Sequence, residues 1–65
     1  MFKITIESAR VNVGLSRKEA AEKLGINPYT LARYENGIRI PNARMIEKMV
    51  ELYKMPYDNL TFLRH

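Results

Sequence analysis

Apolar residues recur at the spacing of a helix along most of this 65-residue chain. The first such segment follows Thr5, where Ile6, Ala9 and Val13 share one face. Thr5 is of a residue type that caps helix N-termini, and Gly14 can supply the left-handed residue that ends a helix. The pattern therefore predicts a first short helix between these two residues.

A capping box marks the start of the second predicted helix. In the segment LSRKEAAEKLG, Ser16 is followed three residues later by Glu19, so each side chain can accept a hydrogen bond from the other's backbone N–H. Gly25 is placed to end this helix after about nine residues, a length at which helices depend on tertiary packing. The inward stripe of the helix consists of Ala20, Ala21 and Leu24.

The third predicted helix follows after only three residues. Asn27 can cap it, Pro28 fits its first position because the missing N–H would be unpaired there, and Gly37 ends it. At about 100° per residue, this helix points two sets of side chains in opposite directions. The inward set is Leu31, Tyr34 and Glu35, and the outward set is Tyr29, Arg33 and Asn36. The outward set indicates a surface that does more than cover a core.

Asn42 caps a fourth predicted helix, which Pro56 stops. Its apolar residues repeat at spacings of three and four, and they are Met45, Ile46, Met49, Leu52 and Tyr53. The methionines of this region are interpreted as core residues and not as a binding groove. After Pro56, the chain can form one helical turn from Asp58 or an extended end with alternating apolar residues.

Both ends of the chain alternate apolar and polar residues, as half-buried strands do. We predict that Met1–Thr5 and Thr61–Leu63 form short paired strands, either within one chain or across a dimer. Together with the helices, this gives a single all-α domain over residues 1–65, with four to five short helices and short terminal strands.

Composition narrows the class of partner. The net charge is +4 and the sequence pI is about 9.7, which favours nucleic acid, a membrane surface or an acidic protein. A membrane-surface domain is disfavoured because the apolar positions are needed inside. The chain has no cysteine, no long apolar run and no leader with a cleavage site, so we expect a cytoplasmic protein that does not span a membrane.

The sequence offers no constellation for catalysis. The single histidine, His65, is the last residue, Asp58 is the only aspartate, and the glutamates fall on helical patterns mixed with basic residues. No glycine-rich phosphate loop and no His/Glu pair with metal-ligand spacing is present. We therefore expect no enzymatic activity, no cofactor, no metal and no small-molecule ligand.

The second and third predicted helices meet the physical requirements of a helix-turn-helix. Ala21 is small enough for close helix approach, Gly25 tolerates a positive φ in the turn, and Ile26 can anchor the turn as an apolar residue. Leu31 and Tyr34 then supply inward-facing side chains on the second helix of the pair.

The segment LSRKEAAEKLGINPYTLARYENGIRIPN resembles the phage-repressor and Cro-like helix-turn-helix family, also known as the xenobiotic-response-element type. The resemblance is detailed from Leu15 to Asn42 and extends loosely to Leu60. It implies a lambda-repressor-like domain whose third helix, residues 28–36 or so, enters the major groove of DNA. The second helix is then expected to lie across the sugar-phosphate backbone.

The resemblance also implies roles for individual residues. The expected base-contacting residues are Asn27, Pro28, Tyr29, Thr30 and Arg33. The expected phosphate-contacting residues are Ser16, Arg17, Lys18, Asn36, Arg39 and Arg44. The expected structural ion pair is Arg10 with Glu35. Many family members have glutamine where this chain has Arg17 and Pro28, so the operator sequence cannot be transferred from any relative.

These observations predict a sequence-specific transcriptional regulator from a bacterium or phage, which binds a double-stranded DNA operator as a homodimer. In physical terms, the guanidinium of Arg33 can donate to guanine O6 and N7 together. The ring of Tyr29 can pack on a thymine methyl, or its hydroxyl can reach a phosphate. Two alternatives stay open. The exposed tyrosine and arginine can be a solvated cation–π pair, and the same scaffold can serve as an antitoxin-like or anti-repressor-like module that binds another protein.

Overall fold

The structure is a computed structural model that describes residues 3–62. Helices and short strands follow one another in the order β1 (Ile4–Thr5), α1 (Ile6–Asn12), α2 (Arg17–Leu24), α3 (Pro28–Glu35), α4 (Ala43–Tyr53), a 3-10 turn (Tyr57–Asn59) and β2 (Leu60–Thr61). The predicted all-α class, with four helices and a further turn, is confirmed.

Each of the four helices starts at a residue whose side-chain oxygen accepts a hydrogen bond from a backbone N–H. These capping residues are Thr5, Ser16, Asn27 and Asn42, the four that the sequence predicts. At α2 the capping box is complete, because Ser16 N also donates to Glu19 Oε1 at 2.9 Å. The hydrogen bonds from the backbone and side chain of Ser16 lower the pKa of Glu19. The helix starts are therefore encoded locally.

The end of α4 differs from the prediction. The helix stops at Tyr53 and not at Pro56, because Lys54 takes the left-handed conformation, with φ of 53°. The backbone N–H of Lys54 still donates to Val50 O, which satisfies a carbonyl at the helix end. Pro56 then precedes the 3-10 turn, so that both the turn and the extended end considered from the sequence are present.

The core lies where α1, α4 and the α2–α3 pair meet. Its buried apolar residues are Ile6, Ala9, Ala20, Ala21, Leu24, Leu31, Tyr34, Met49, Tyr53 and Leu60. Met45 and Met55 are partly buried and pack against this cluster, so the interpretation of the methionines as core residues is confirmed.

The two terminal strands pair with each other within the chain. Ile4 lies opposite Leu60 and Thr5 opposite Thr61, in parallel. The predicted pairing of the ends within one chain is thereby confirmed for Ile4, Thr5 and Thr61. Leu60 joins the second strand although it was not predicted to, and Lys3 and Phe62 are not in the strands. Met1, Phe2 and Leu63 lie outside the described residues. This pairing fixes the start of α1 against the end of the described chain.

The hydroxyl of Tyr53 is the one buried side-chain polar atom without a hydrogen-bond partner among residues 3–62. The side chain is almost completely enclosed, with 1% of the residue exposed. Burial, followed by the negative charge of Glu35, raises the pKa of Tyr53 to about 12, although Arg10 acts in the opposite direction. Tyr53 therefore places an unpaired hydroxyl beside charged groups in the core.

The variant Tyr53→Phe is expected to keep the free energy of unfolding within about 1 kcal/mol of the original at neutral pH, since it removes a group that makes no hydrogen bond. At higher pH the variant should be the more stable of the two. The pKa of tyrosine is about 10 in an unfolded chain and about 12 at Tyr53 in the fold. The contribution of neutral Tyr53 to the free energy of unfolding is thus fully present below pH ~10, and it is lost as the pH rises through ~12.

Urea unfolding of both proteins at pH ~7 and pH ~11 checks this expectation. Tyr57→Phe is the matched control, because the side chain of Tyr57 is exposed. A loss above about 2 kcal/mol for Tyr53→Phe at neutral pH would show that the hydroxyl has a partner after all.

Candidate nucleic-acid interface

The pair α2 and α3 is held together by a turn of three residues. Gly25 ends α2 with φ of 77°, in the left-handed region that glycine tolerates best. The backbone N–H of Ile26 donates to Ala21 O at 3.0 Å, which folds the turn back on the helix. Ala21 and Leu31 are completely buried, as predicted for the small residue of α2 and for an inward-facing residue of α3. The two helices and their turn thus form one packed unit.

The outward face of α3 is open to solvent. Tyr29 is 70% exposed, Asn27 and Pro28 are exposed, and Thr30 and Arg33 are partly exposed. The structure therefore brings all five expected base-contacting residues to the start and outer side of one helix. None of them belongs to the buried core cluster.

Tyr29 and Arg33 contact each other on this face, one helical turn apart. The Nη1 atom of Arg33 donates to the Tyr29 hydroxyl at 3.4 Å, and its Cζ lies 5.7 Å from the ring centroid. The cation–π contact considered from the sequence is therefore present. It holds the guanidinium along the outside of α3 and leaves other N–H groups of Arg33 able to reach a ligand.

The opposite side of α3 carries a carboxylate with no exposure at all. Glu35 Oε2 accepts from Arg10 Nε at 2.7 Å, and the side chain of Glu35 is 0% exposed. Arg10 Nη1 also donates to Leu15 O at 2.9 Å. The ion pair implied by the resemblance is thus present, and it links α1 to α3 and to the segment between α1 and α2.

A second arginine shares this carboxylate. Arg17, the first residue of α2, donates from Nε to Glu35 Oε1 at 3.1 Å, although its side chain is 41% exposed. Sequence reasoning missed this contact because 18 residues separate the partners, and no periodicity connects them.

The expected phosphate-contacting residues form two groups on the chain. Ser16, Arg17 and Lys18 lie together at the N-terminus of α2, where backbone N–H groups and the helix dipole favour an anion. The other group follows α3 and consists of Asn36, Arg39 and Arg44, all exposed. Within it, Arg39 Cζ lies 5.8 Å from the centroid of the Tyr34 ring, so its guanidinium is held close to α3.

Two exposed isoleucines flank Arg39, and sequence reasoning did not select them. Ile38 is 65% exposed and Ile40 is 54% exposed. They lie in the turn after α3, where the backbone N–H groups of Ile38 and Arg39 both donate to Arg33 O, and no helical or strand periodicity selects them. Both isoleucines therefore lie beside the second group of basic residues.

Among residues 3–62, no group of three or more histidine, cysteine, aspartate or glutamate side chains is placed to hold a metal ion. In that part of the chain, no helix combines the length and apolar character needed to cross a membrane.

Residues 6–60 match the model of the Helix-turn-helix family. The chain belongs to this family, in its phage-repressor and Cro-like branch. This membership confirms the resemblance read from the residues.

Two curated relatives are similar to the chain. One is the HTH-type transcriptional regulator ImmR of Bacillus subtilis (strain 168), with 38% identity over 55 residues, which is 85% of this chain and 43% of the relative. The other is the cryptic phage CTXphi transcriptional repressor RstR of Vibrio cholerae, with 32% identity over 60 residues, 92% of this chain and 54% of the relative. The chain thus spans about half the length of the relatives it matches. No solved structure gives a significant match.

Proposed function

We propose that this chain is a sequence-specific DNA-binding transcriptional regulator that places α3 in the major groove. The observation that carries the proposal is the outward face of α3, which is exposed, capped at Asn27 and held by a buried helix pair. A major groove about 12 Å wide admits an α-helix presented in this way. Membership of the helix-turn-helix family supports the same conclusion.

Base recognition is assigned to the first turns of α3. Arg33 can donate two parallel hydrogen bonds to guanine O6 and N7, which contributes about 1–3 kcal/mol of discrimination against other bases. Tyr29 lies nearer the helix N-terminus, and its ring can pack on the methyl group of thymine. Because the two side chains touch, they would read neighbouring base pairs as a unit. Asn27 and Thr30 offer polar groups beside them, and Pro28 offers only apolar contact.

Backbone recognition is assigned to the basic residues on either side of α3. Arg17 and Lys18 at the start of α2, and Arg39 and Arg44 after α3, can neutralise phosphates without reading sequence. Ser16 and Asn36 can add neutral hydrogen bonds to the same backbone. Each neutralised phosphate steepens the dependence of log affinity on log salt concentration by about 0.9.

The assembly proposed on DNA is a homodimer on a near-palindromic operator. A two-fold dimer places two copies of α3 in successive major grooves about 34 Å apart. The two relatives are named a transcriptional regulator and a transcriptional repressor, and we propose a regulatory role for this chain as well. A cytoplasmic location follows from that role, since the operator is there.

Selection of bound sites from a random duplex pool tests this function. We expect an enriched motif that contains guanine and is repeated with opposite orientation, with half-site centres about one helical turn apart. Enrichment of no motif, at a salt concentration where non-specific binding is weak, would contradict the proposal.

A further inference from the structure

Glu7, in the first turn of α1, lies beside the arginine that we assign to the DNA backbone. The Oε2 atom of Glu7 is 4.0 Å from Arg17 Nη2 and 3.9 Å from Arg10 Nη2. The side chain of Glu7 is 42% exposed and that of Arg17 is 41% exposed, so both reach the surface. A carboxylate therefore lies 4.0 Å from the guanidinium of Arg17, and both groups are partly exposed.

We propose that Glu7 limits the affinity of the protein for DNA by competing with a backbone phosphate for Arg17. The proposal rests on the proposed function and assigns to it a residue that neither the resemblance nor the sequence pattern selected. Glu7 acts on binding through Arg17 and does not itself touch DNA.

The nitrogen atoms of the Arg17 guanidinium differ in what they contact. Nε is taken by the buried oxygen Oε1 of Glu35 at 3.1 Å, which fixes the orientation of the group. Nη2 then points toward Glu7, and within residues 3–62 Nη1 has no hydrogen bond. The two Nη atoms are the ones that a phosphate would contact, since Nε is already used.

Two effects of the Glu7 carboxylate oppose phosphate binding at this place. The carboxylate attracts Nη2 of Arg17. The contact between Glu7 and Arg17 must therefore be broken or shared when a phosphate binds to Arg17. The carboxylate also repels a phosphate that Arg17 has bound, because two like charges at the surface interact unfavourably over several ångströms, and without Arg17 no phosphate is held at this place. Both effects are electrostatic between exposed groups, so salt screens them within about 10 Å at moderate ionic strength.

The same contact matters little for folding. An exposed ion pair at 4.0 Å is at the weak end of such interactions. Arg10 and Arg17 keep the carboxylate of Glu35 as a partner when Glu7 is removed. Removal of the charge at Glu7 should therefore change binding and leave the fold intact.

The test is Glu7→Gln, measured by titration of the intact chain with the duplex enriched in the selection above. We expect binding about three- to tenfold tighter at low salt, with the gain shrinking as salt rises. The matched control is Glu47→Gln, an exposed glutamate on α4 whose loss changes the net charge equally. A gain of affinity cannot come from unfolding, and far-UV circular dichroism checks that all variants are folded.

A double-mutant cycle separates competition for Arg17 from a general effect of charge. In the background Arg17→Gln, the gain from Glu7→Gln should fall to that of Glu47→Gln. The proposal is overturned if Glu7→Gln and Glu47→Gln act alike in the original chain, or if the excess gain persists without Arg17. Failure of the original chain and all variants to prefer any duplex would instead overturn the proposed function, and this inference with it.

Discussion

Replacement of Glu35 with alanine is expected to lower the free energy of unfolding by about 3–5 kcal/mol, because it removes the buried carboxylate that compensates the charge of a buried arginine. The side chain of Arg10 is only 9% exposed and points Nε at this carboxylate over 2.7 Å. A domain of this size has a total stability of about 3–10 kcal/mol. A large fraction of the variant should therefore be unfolded at 25 °C, which urea titration followed by circular dichroism would measure.

Substitutions of the two arginines that contact Glu35 are expected to lower the free energy of unfolding by smaller amounts than Glu35→Ala does. Arg10→Ala should cost less than Glu35→Ala, since Arg17 still donates to Glu35, but it also removes the hydrogen bond to Leu15 O. Arg17→Ala should cost only up to about 1 kcal/mol, because its side chain is 41% exposed and Arg10 remains in place. The reverse order, or a loss below about 1 kcal/mol for Glu35→Ala, would contradict the structural role of the cluster.

Replacement of Arg33 with alanine should have the largest effect on sequence recognition. We expect a loss of about 1–3 kcal/mol in discrimination at one base pair of each half-site, with the preferences at other positions kept. The reason is that a guanidinium fork matches guanine O6 and N7 together, and alanine matches no base edge. Fold stability should change little, because Arg33 lies on the outward face of α3.

Arg39→Ala is the control for Arg33→Ala. It removes a cation that we assign to phosphate, so it should weaken binding to all duplexes alike and flatten the salt dependence by about one unit. Competition titrations with single-base variants of the selected site would measure both effects. Equal losses on every duplex from both substitutions would contradict the division between base and backbone contacts.

The parts of the fold that follow from local chemistry could be predicted from the sequence. A capping side-chain oxygen accepts a hydrogen bond from a backbone N–H only three residues away. Local sequence therefore predicts the starts of α2, α3 and α4 at Ser16, Asn27 and Asn42. The outward placement of Tyr29 and Arg33 follows from helical periodicity, which needs no knowledge of the rest of the molecule.

The contacts that depend on how the helices pack against one another could not be predicted from local sequence. The contact between Arg17 and Glu35 joins residues on two helices, and the position of one relative to the other decides it. The parallel register of Ile4 with Leu60 is similar, because a two-residue strand carries too little pattern to choose a direction. Lys54 ended α4 early through a left-handed conformation that is uncommon for lysine.

The unpaired hydroxyl of Tyr53 belongs to the same group of features. Tyrosine at this spacing predicts a core position, which the structure confirms. Whether its hydroxyl finds a partner depends on the neighbours from α1 and α3, and sequence spacing does not contain that information.

A double-mutant cycle between Arg33 and the N7 atom of guanine tests most directly whether the outer face of α3 lies against the edges of paired bases. Each guanine of the selected half-site is replaced in turn with 7-deazaguanine, which lacks the N7 acceptor. The original chain should lose about tenfold in affinity at one of these positions, and Arg33→Ala should be insensitive to the same replacement. Equal sensitivity of both proteins at every guanine, or no sensitivity in the original chain, would contradict the placement of α3 in the major groove.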